Sequence, residues 1–335
     1  MAKTKKRIGL KIFFLIIFLI VLCLLLNIII LPLTANFNRG VKDKVTKANE
    51  YIIDGNPLLS AHRAGGGEAP EETMAAFKLC LTDSTFQADV LEFDLHITKD
   101  GELVLLHDDT LDRTSNAIEK YGKKNVLANS LTLAELKELN MGENFEKDGK
   151  FPYRGLRGEE IPSDIRILTL NEILTYVETV VRTDHTMRYI IEIKDSRDNG
   201  KKAMDKLYQT MENYNITNRV IVGTFNGDIT KYIDEKYSGT VARSASIMEV
   251  LKFYFSFLYG TKLGETKYSV LQIPYKVSMW NFGTKAIIQY AHDNGIACQY
   301  WTINDETYMQ ELIDNGADAI MTDYPTKLYN ILNKK

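Results

Sequence analysis

Cysteine is scarce in this chain. The 335 residues hold three, Cys23, Cys80 and Cys298. Cys23 falls inside a long apolar run, and the other two are flanked by apolar residues, so the expectation is two buried thiols and no disulfide framework. A domain of about 280 residues buries enough core to do without such staples. Histidine is scarce too, five in all, with no pair at metal-ligand spacing and no cysteine nearby to join one. That argues against zinc. Low-complexity tracts and repeats of 20–50 residues are absent, which excludes solenoids and arrays. Basic charge is short outside the N-terminus. Beyond the first eleven residues the chain carries 36 basic against 44 acidic residues, a net charge of −8. Such a domain is a poor partner for nucleic acid or a polyanionic surface. If it handles phosphate, local cations and a bound metal must do so.

One thing is present in excess. Ile12 to Leu31 is apolar throughout except for Asn27. Roughly 20 residues at about 1.5 Å rise span a hydrocarbon core of about 30 Å. Lys3, Lys5, Lys6, Arg7 and Lys11 precede the run with no acid among them, which places the N-terminus in the cytoplasm and everything after Leu33 outside. A cleaved signal peptide fits less well, because its apolar region is about 7 to 15 residues long and ends at small residues. Here Leu33-Thr34-Ala35 has a leucine where a small residue belongs, and no cysteine follows to accept a lipid. The expected organisation is a basic cytoplasmic head (1–11), a transmembrane anchor (12–33), a juxtamembrane linker (34–56) and an outer domain (57–335). The protein is thus expected at the cell membrane, single-pass, with its outer domain extracytoplasmic.

In the outer domain short apolar runs alternate with amphipathic stretches. Eight candidate strands are Leu58–Ala61, Val90–Leu95, Tyr189–Ile193, Arg219–Gly223, Thr240–Ala242, Val270–Ile273, Ala297–Trp301 and Ala319–Met321. Helical patterns such as Thr73–Leu81 and Thr284–Asn294 separate them, and Gly295 stands where a helix C-terminal glycine belongs. Eight strands alternating with helices predict an α/β fold, a closed (β/α)8 barrel of the TIM type. One pair departs from it. Leu103–Leu106 follows Val90–Leu95 through Thr98-Lys99-Asp100-Gly101, a turn too short for a parallel crossover, so the pair is expected to form an antiparallel hairpin at the barrel mouth. Residues 108 to about 186 are too long for a simple connection and read as an inserted subdomain capping the site.

The strand ends carry the chemistry. His62-Arg63, Glu92 with Asp94, His107 and Glu192 with Lys194 all close short apolar runs, and charged groups are rarely placed there without partners. In a (β/α)8 barrel these ends converge on the catalytic face. Glu92 and Asp94 lie two apart on one strand and share a face, so they repel unless a cation or a proton intervenes. With Glu192 they make three carboxylates, a donor set suited to Mg2+ or Ca2+. Arg63 and Lys194 suit phosphate oxygens. Two histidines supply proton transfer, which completes an inventory for cleaving a phosphodiester. His96 and His292 read as core or surface histidines, and His185 as a loop residue.

Several strings resemble the glycerophosphodiester phosphodiesterase family: Ser60-Ala61-His62-Arg63-Ala64, Pro70-Glu71-Glu72-Thr73, Glu92-Phe93-Asp94-Leu95, Val104-Leu105-Leu106-His107-Asp108 and Leu131-Thr132-Leu133-Ala134-Glu135-Leu136. So do Ile191-Glu192-Ile193-Lys194, Trp301-Thr302-Ile303-Asn304 and Thr322-Asp323-Tyr324-Pro325. They run in order from about residue 57 to the C-terminus. The resemblance implies a barrel with an insertion after the second histidine, and metal-dependent hydrolysis of glycerophosphodiesters to glycerol 3-phosphate and an alcohol. It implies His62 and His107 as general acid and base, Glu92, Asp94 and Glu192 as metal ligands, Arg63 and Lys194 on phosphate, Trp301 with the substrate, and Glu71 orienting the metal shell. The partners it implies are small glycerophosphodiesters or glycerol-phosphate polymers. Two positions depart from the family pattern. Ala64 replaces the usual glycine, with a methyl expected to narrow backbone approach, and Glu72 replaces asparagine, expected to add negative charge.

Two other functions fit the same residues. One is a phospholipase-type phosphodiesterase acting on intact lipid, and the other a catalytically silent, membrane-tethered binding protein. The stretch Phe253-Tyr254-Phe255-Ser256-Phe257-Leu258-Tyr259 packs five aromatics into seven residues. It reads either as a helix packed on the barrel or as an aromatic lip at its mouth.

Overall fold

The computed structural model describes residues 12–26, 48–83, 86–278 and 280–333. Residues 12–26 are helical and exposed. Among the described residues no helix is long and apolar enough to cross a membrane. The rest of the expected span (27–33), most of the linker (34–47) and the basic head lie outside the described residues.

Strands β1 (Leu58–Ala61), β2 (Val90–Ile97), β3 (Leu103–Leu105), β4 (Arg188–Ile193), β5 (Val220–Gly223) and β6 (Ala242–Arg243) occupy the first two-thirds of the domain. They are followed by β7 (Val270–Ile273), a small hairpin of β8 (Lys276–Val277) and β9 (Trp280–Asn281), then β10 (Ala297–Tyr300) and β11 (Ala319–Thr322). The main sheet runs β6-β5-β4-β2-β1-β11-β10-β7, all parallel. A parallel bridge from Ser244 to Val270 brings its two edges together, so the eight strands form a nearly closed TIM-type barrel. Helices cross between successive strands as the periodicity predicts, with Met74–Thr82 and Lys285–Asp293 within a residue of the expected stretches. The sixth strand sits later than the expected Thr240–Ala242. Thr240 and Val241 instead donate their N–H groups to the Tyr237 carbonyl at 3.1 Å, closing the preceding helix.

Side chains alternate across each strand, and that alternation builds the site. Leu91, Phe93 and Leu95 of β2 face outward into the main core beneath the helices, with Ile191 and Ile193 of β4. Facing inward, Val90, Ile190, Ile221, Val270, Ala297 and Met321 form an apolar floor with Tyr51 packed against them. Tyr51 belongs to a segment that is docked rather than loose. Asn49 donates to the carbonyls of Ser269 and Gly295 at 2.7 and 2.9 Å, and the Ile53 N–H donates to Asp318 at 2.8 Å. Two residues above the floor on the same inward face stand Glu92 and Glu192. Two further on stand Asp94 and Lys194, at the catalytic end.

The hairpin forms as expected. β3 pairs antiparallel with β2, Leu105 opposite Leu95. Its turn closes with Thr98 N–H donating to Glu102 O at 2.8 Å, and Gly101 takes φ +86°, a conformation that costs a side-chain-bearing residue roughly 1–2 kcal/mol. Leu106 N–H then donates to the Asp94 carbonyl at 3.1 Å, which delivers His107 to the catalytic end. The insertion that follows has its own small core of Val104, Leu106, Leu111, Val126, Leu136, Leu139, Met141 and Ile167. Its helix Leu133–Lys137 begins at a Thr132–Glu135 capping box.

The aromatic stretch lies in the helix Ile247–Tyr259. Phe253, Tyr254 and Phe257 are fully buried against the barrel, leaving Phe255 and Tyr259 exposed, so packing accounts for most of it. Cys80 and Cys298 are buried thiols outside any disulfide.

Candidate active site

A cavity of about 420 Å3 opens at the C-terminal ends of the strands, and His62, Arg63, Glu92, Asp94, His107, Glu192 and Trp301 all line it. Seven side chains singled out in the sequence are thus gathered in one place. Lys194 joins them through its ammonium, 3.0 Å from Glu192 and 3.5 Å from Asp94.

The turn after β1 carries His62 and Arg63 into the cavity. Arg63 and Ala64 adopt φ +49° and +61°, and the turn is tied by Gly65 N–H donating to His62 O at 2.8 Å. The methyl of Ala64 is buried in the hydrophobic core, not in the cavity, so the expected narrowing of the site does not occur. A left-handed alanine there still carries a local strain of roughly 1–2 kcal/mol that glycine would relieve.

Each histidine is oriented by a carboxylate. His62 Nδ1 lies 2.7 Å from Asp323 Oδ1, and His107 Nδ1 lies 2.7 Å from Asp108 Oδ1. An ionised carboxylate can only accept, so both Nδ1 atoms carry the proton, leaving each Nε2 for other chemistry. Asp323 is held in turn by Asn304, whose Nδ2 donates to its Oδ2 at 2.7 Å and whose Oδ1 accepts its N–H at 3.0 Å. Asp108 receives Arg113 at 2.7 and 3.0 Å. The two imidazoles differ in charge preference. Burial disfavours protonation of His62, but Glu92 and Asp323 outweigh burial and Arg63, and its pKa is raised. At His107 burial again disfavours the cation, Arg63 and Lys194 add to it, Asp94 and Asp108 fall short, and the pKa is lowered.

Three carboxylates crowd the centre. Burial, followed by the charge of Asp94, pushes Glu92 and Glu192 each up to about 7. Glu92 Oε2 accepts the Arg63 N–H at 2.8 Å. Both carboxylate oxygens of Asp94 are buried without a hydrogen-bond partner. Lys194 and Arg63 lie 3.5 and 3.9 Å away as ion-pair partners, but a buried carboxylate that accepts no hydrogen bond is still costly, and a hard cation would relieve it. Among the described residues no three His, Cys, Asp or Glu side chains are placed so as to hold a metal ion as they stand. The donor chemistry nonetheless fits one: three carboxylates, oxygen-only, with the Asp94 oxygens accepting no hydrogen bond.

Glu71 stands apart from this set. It accepts from Arg63 at 3.2 Å and, in a two-pronged contact, from Arg113 at 2.8 and 2.6 Å. Its neighbour Glu72 touches Asp94 instead, accepting that residue's N–H at 2.6 Å. Burial, then Asp94 and Glu71, push the Glu72 carboxyl well above the ordinary range. The remaining histidines lie outside the cavity, each beside a carboxylate. His96 pairs with Asp195 at 3.3 Å, His185 with Glu178 at 2.9 Å and His292 with Asp318 at 2.8 Å.

Sequence reasoning assigned no role to Asp108, Arg113, Asn304 or Asp323. Asp108, Asn304 and Asp323 lie within family-like strings, which was a usable signal, whereas Arg113 lies in a loop and had none.

Residues 62–327 match the model of the glycerophosphoryl diester phosphodiesterase family. A glycerophosphodiester phosphodiesterase of Caldanaerobacter subterraneus subsp. tengcongensis is 31% identical over 280 residues, covering 83% of this chain and 98% of that protein. A lysophospholipase D of Mus musculus is 27% identical, covering 82% of this chain and 85% of its own. Among solved structures, an Oleispira antarctica phosphodiesterase in complex with the product sn-glycerol-3-phosphate superposes with a TM-score of 0.61 at 22% identity, covering 83% of this chain and 98% of that one.

Proposed function

This chain belongs to the glycerophosphoryl diester phosphodiesterase family and is a glycerophosphodiester phosphodiesterase, and from that premise we propose that it cleaves its substrate to glycerol 3-phosphate and an alcohol with His107 as general base and His62 as general acid. The observation that carries the reading is the pair of carboxylate-bound histidines with opposite pKa shifts, facing one cavity. His107, neutral, takes the proton of the attacking oxygen, which belongs to water or to the neighbouring glycerol hydroxyl; the hydroxyl route first gives a cyclic phosphate, which water then opens to glycerol 3-phosphate. A P–O bond forms to that oxygen, the P–O bond to the alcohol breaks, and His62 gives its proton to the departing oxygen. Arg63 lies against the phosphate oxygens through its guanidinium, and Lys194 adds a second cation.

Glu92, Asp94 and Glu192 would hold a divalent cation, Mg2+ or Ca2+. Such an ion supplies Lewis-acid neutralisation of the phosphate oxygens when bound. Support comes from the Asp94 oxygens that accept no hydrogen bond and from the raised Glu92 and Glu192. We place the enzyme at the cell membrane, anchored by residues 12–33 with its barrel outside, on the strength of the apolar run and the basic head before it. Turnover of glycerophosphocholine by the full chain, with and without EDTA, tests the reading. Release of glycerol 3-phosphate that EDTA abolishes is expected, and undiminished release in EDTA would remove the metal.

A further inference from the structure

Gly223 ends β5 on the wall of the cavity, and nothing in the protein itself calls for glycine there. Its backbone is not left-handed, so a residue with a side chain could adopt it. A Cβ at this position would meet no atom closer than 3.4 Å, which is ordinary contact. Glycine weakens a strand, and where neither backbone nor packing demands it, it marks the close approach of a ligand.

The space left open is polar. Gln272 Oε1 lies 3.4 Å and Ser244 Oγ 3.6 Å from the point a Cβ would occupy, with the Glu192 backbone at 3.9 Å. All of these residues line the cavity. The Gln272 amide is held from behind. Its Nε2 donates to Oε1 of the buried Gln299 at 3.0 Å, which leaves its own Oε1 toward Gly223. The niche thus offers a fixed acceptor and a hydroxyl able to donate. A ligand group that donates to the first and accepts from the second is itself a hydroxyl. A phosphate oxygen would face the Gln272 acceptor, and a quaternary ammonium has no proton to give it.

The niche stands across the barrel from His62. From β1 it is reached through β2, β4 and β5 one way, and through β11, β10 and β7 the other. His62 serves the departing oxygen, so a hydroxyl held on the far side belongs to the half that stays on phosphorus. That half is the glycerol. Its hydroxyl beside the phosphate is a candidate attacking group, which leaves the terminal one for the niche.

We propose that Gly223, Ser244 and Gln272 form a hydroxyl niche that reads the terminal hydroxyl of the retained glycerol, with Gln299 as a positioning residue. The proposal rests on the phosphodiesterase reading above and adds what selects the glycerol half.

The test compares glycerophosphocholine with an analogue whose terminal CH2OH is a methyl group, using the full chain. The analogue leaves the niche unpaired, and we expect its kcat/KM to be lower by about tenfold or more. Gly223→Ala fills the niche and Gln272→Met removes its acceptor. Each is expected to lower the preference for glycerophosphocholine at least about fivefold. Gln299→Met frees the Gln272 amide to turn and should lower the preference too, whereas a merely structural loss would slow both substrates alike. Circular dichroism confirms that the variants fold. Equal turnover of the two substrates by the parent, or a preference that survives Gly223→Ala and Gln272→Met, overturns the niche and leaves the phosphodiesterase intact. No turnover of either substrate by the parent overturns both.

Discussion

Nδ1 of His62 lies 2.7 Å from Oδ1 of Asp323, although 261 residues of chain separate them. The contact joins the turn after the first barrel strand to the end of the last, so closing the barrel is what equips this histidine. His107 obtains the same partner from the adjacent residue, Asp108. One site thus holds two imidazoles with equal Nδ1 contacts and opposite pKa shifts, with Glu92 raising His62 and Lys194 lowering His107.

Replacing Asp323 with asparagine keeps its shape and removes its charge. We expect kcat to fall by about 10²-fold or more, since an amide can present the wrong group to Nδ1. The pH profile gives the sharper test. Asp323 helps to raise the pKa of His62, so its loss lowers that pKa, and the alkaline limb of kcat/KM, where protonated His62 is lost, moves to lower pH. A limb that stays in place would show that Asp323 does not tune His62.

Arg113 carries the inserted subdomain into the site. One guanidinium grips Asp108, which orients His107, and Glu71, which touches Arg63. Arg113→Lys keeps the charge and loses the two-pronged geometry. The expected result is a fall in kcat/KM of about tenfold or more with little change in melting temperature, because the arginine side chain is half exposed. Parent-like kinetics in the lysine variant would confine Arg113 to holding the insertion in place.

Much of this was readable before any coordinate. His62, Arg63, Glu92, Asp94, Glu192 and Lys194 announce themselves because strand periodicity puts alternate residues on one face and barrel ends converge. The hairpin was readable because Asp100-Gly101 leaves no room for a crossover. What stayed hidden depends on contacts distant in sequence. Nothing local says that Asp323 meets His62 or that Asn304 braces it, and Arg113 sits in a loop without periodicity. Aromatic density in 253–259 could not say which helix face turns inward. It is the earlier turns of that helix, through Ile247, Val250 and Leu251 at helical spacing, that line the cavity.

The crowded carboxylates make a prediction about stability that needs no activity assay. Burial and Asp94 raise Glu92 and Glu192 from the ordinary range to about 7. A carboxyl whose folded pKa lies above its unfolded value binds its proton more tightly in the native state, so stability falls as pH rises from about 4.5 to about 7. In EDTA the melting temperature of the parent should drop across that window more steeply than that of Glu92→Gln, and saturating Mg2+ or Ca2+ should reverse the parent's drop. Parallel curves for parent and variant in EDTA would mean that the carboxylates are already neutralised by Arg63 and Lys194.

The division of labour between the histidines can be separated by the leaving group. His62→Ala and His107→Ala should each lower kcat by about 10² to 10⁴. An alkoxide needs a proton as it departs, whereas a nitrophenolate leaves without one. A nitrophenyl ester of glycerol phosphate should therefore restore most of the rate to His62→Ala, which lacks the acid, and little to His107→Ala, which still cannot take the proton from the attacking oxygen. The raised pKa of His62 and the lowered pKa of His107 set that direction. Rescue of His107→Ala alone would exchange the two roles. Equal rescue of both, or of neither, would mean that proton transfer to the leaving group is not what either histidine contributes.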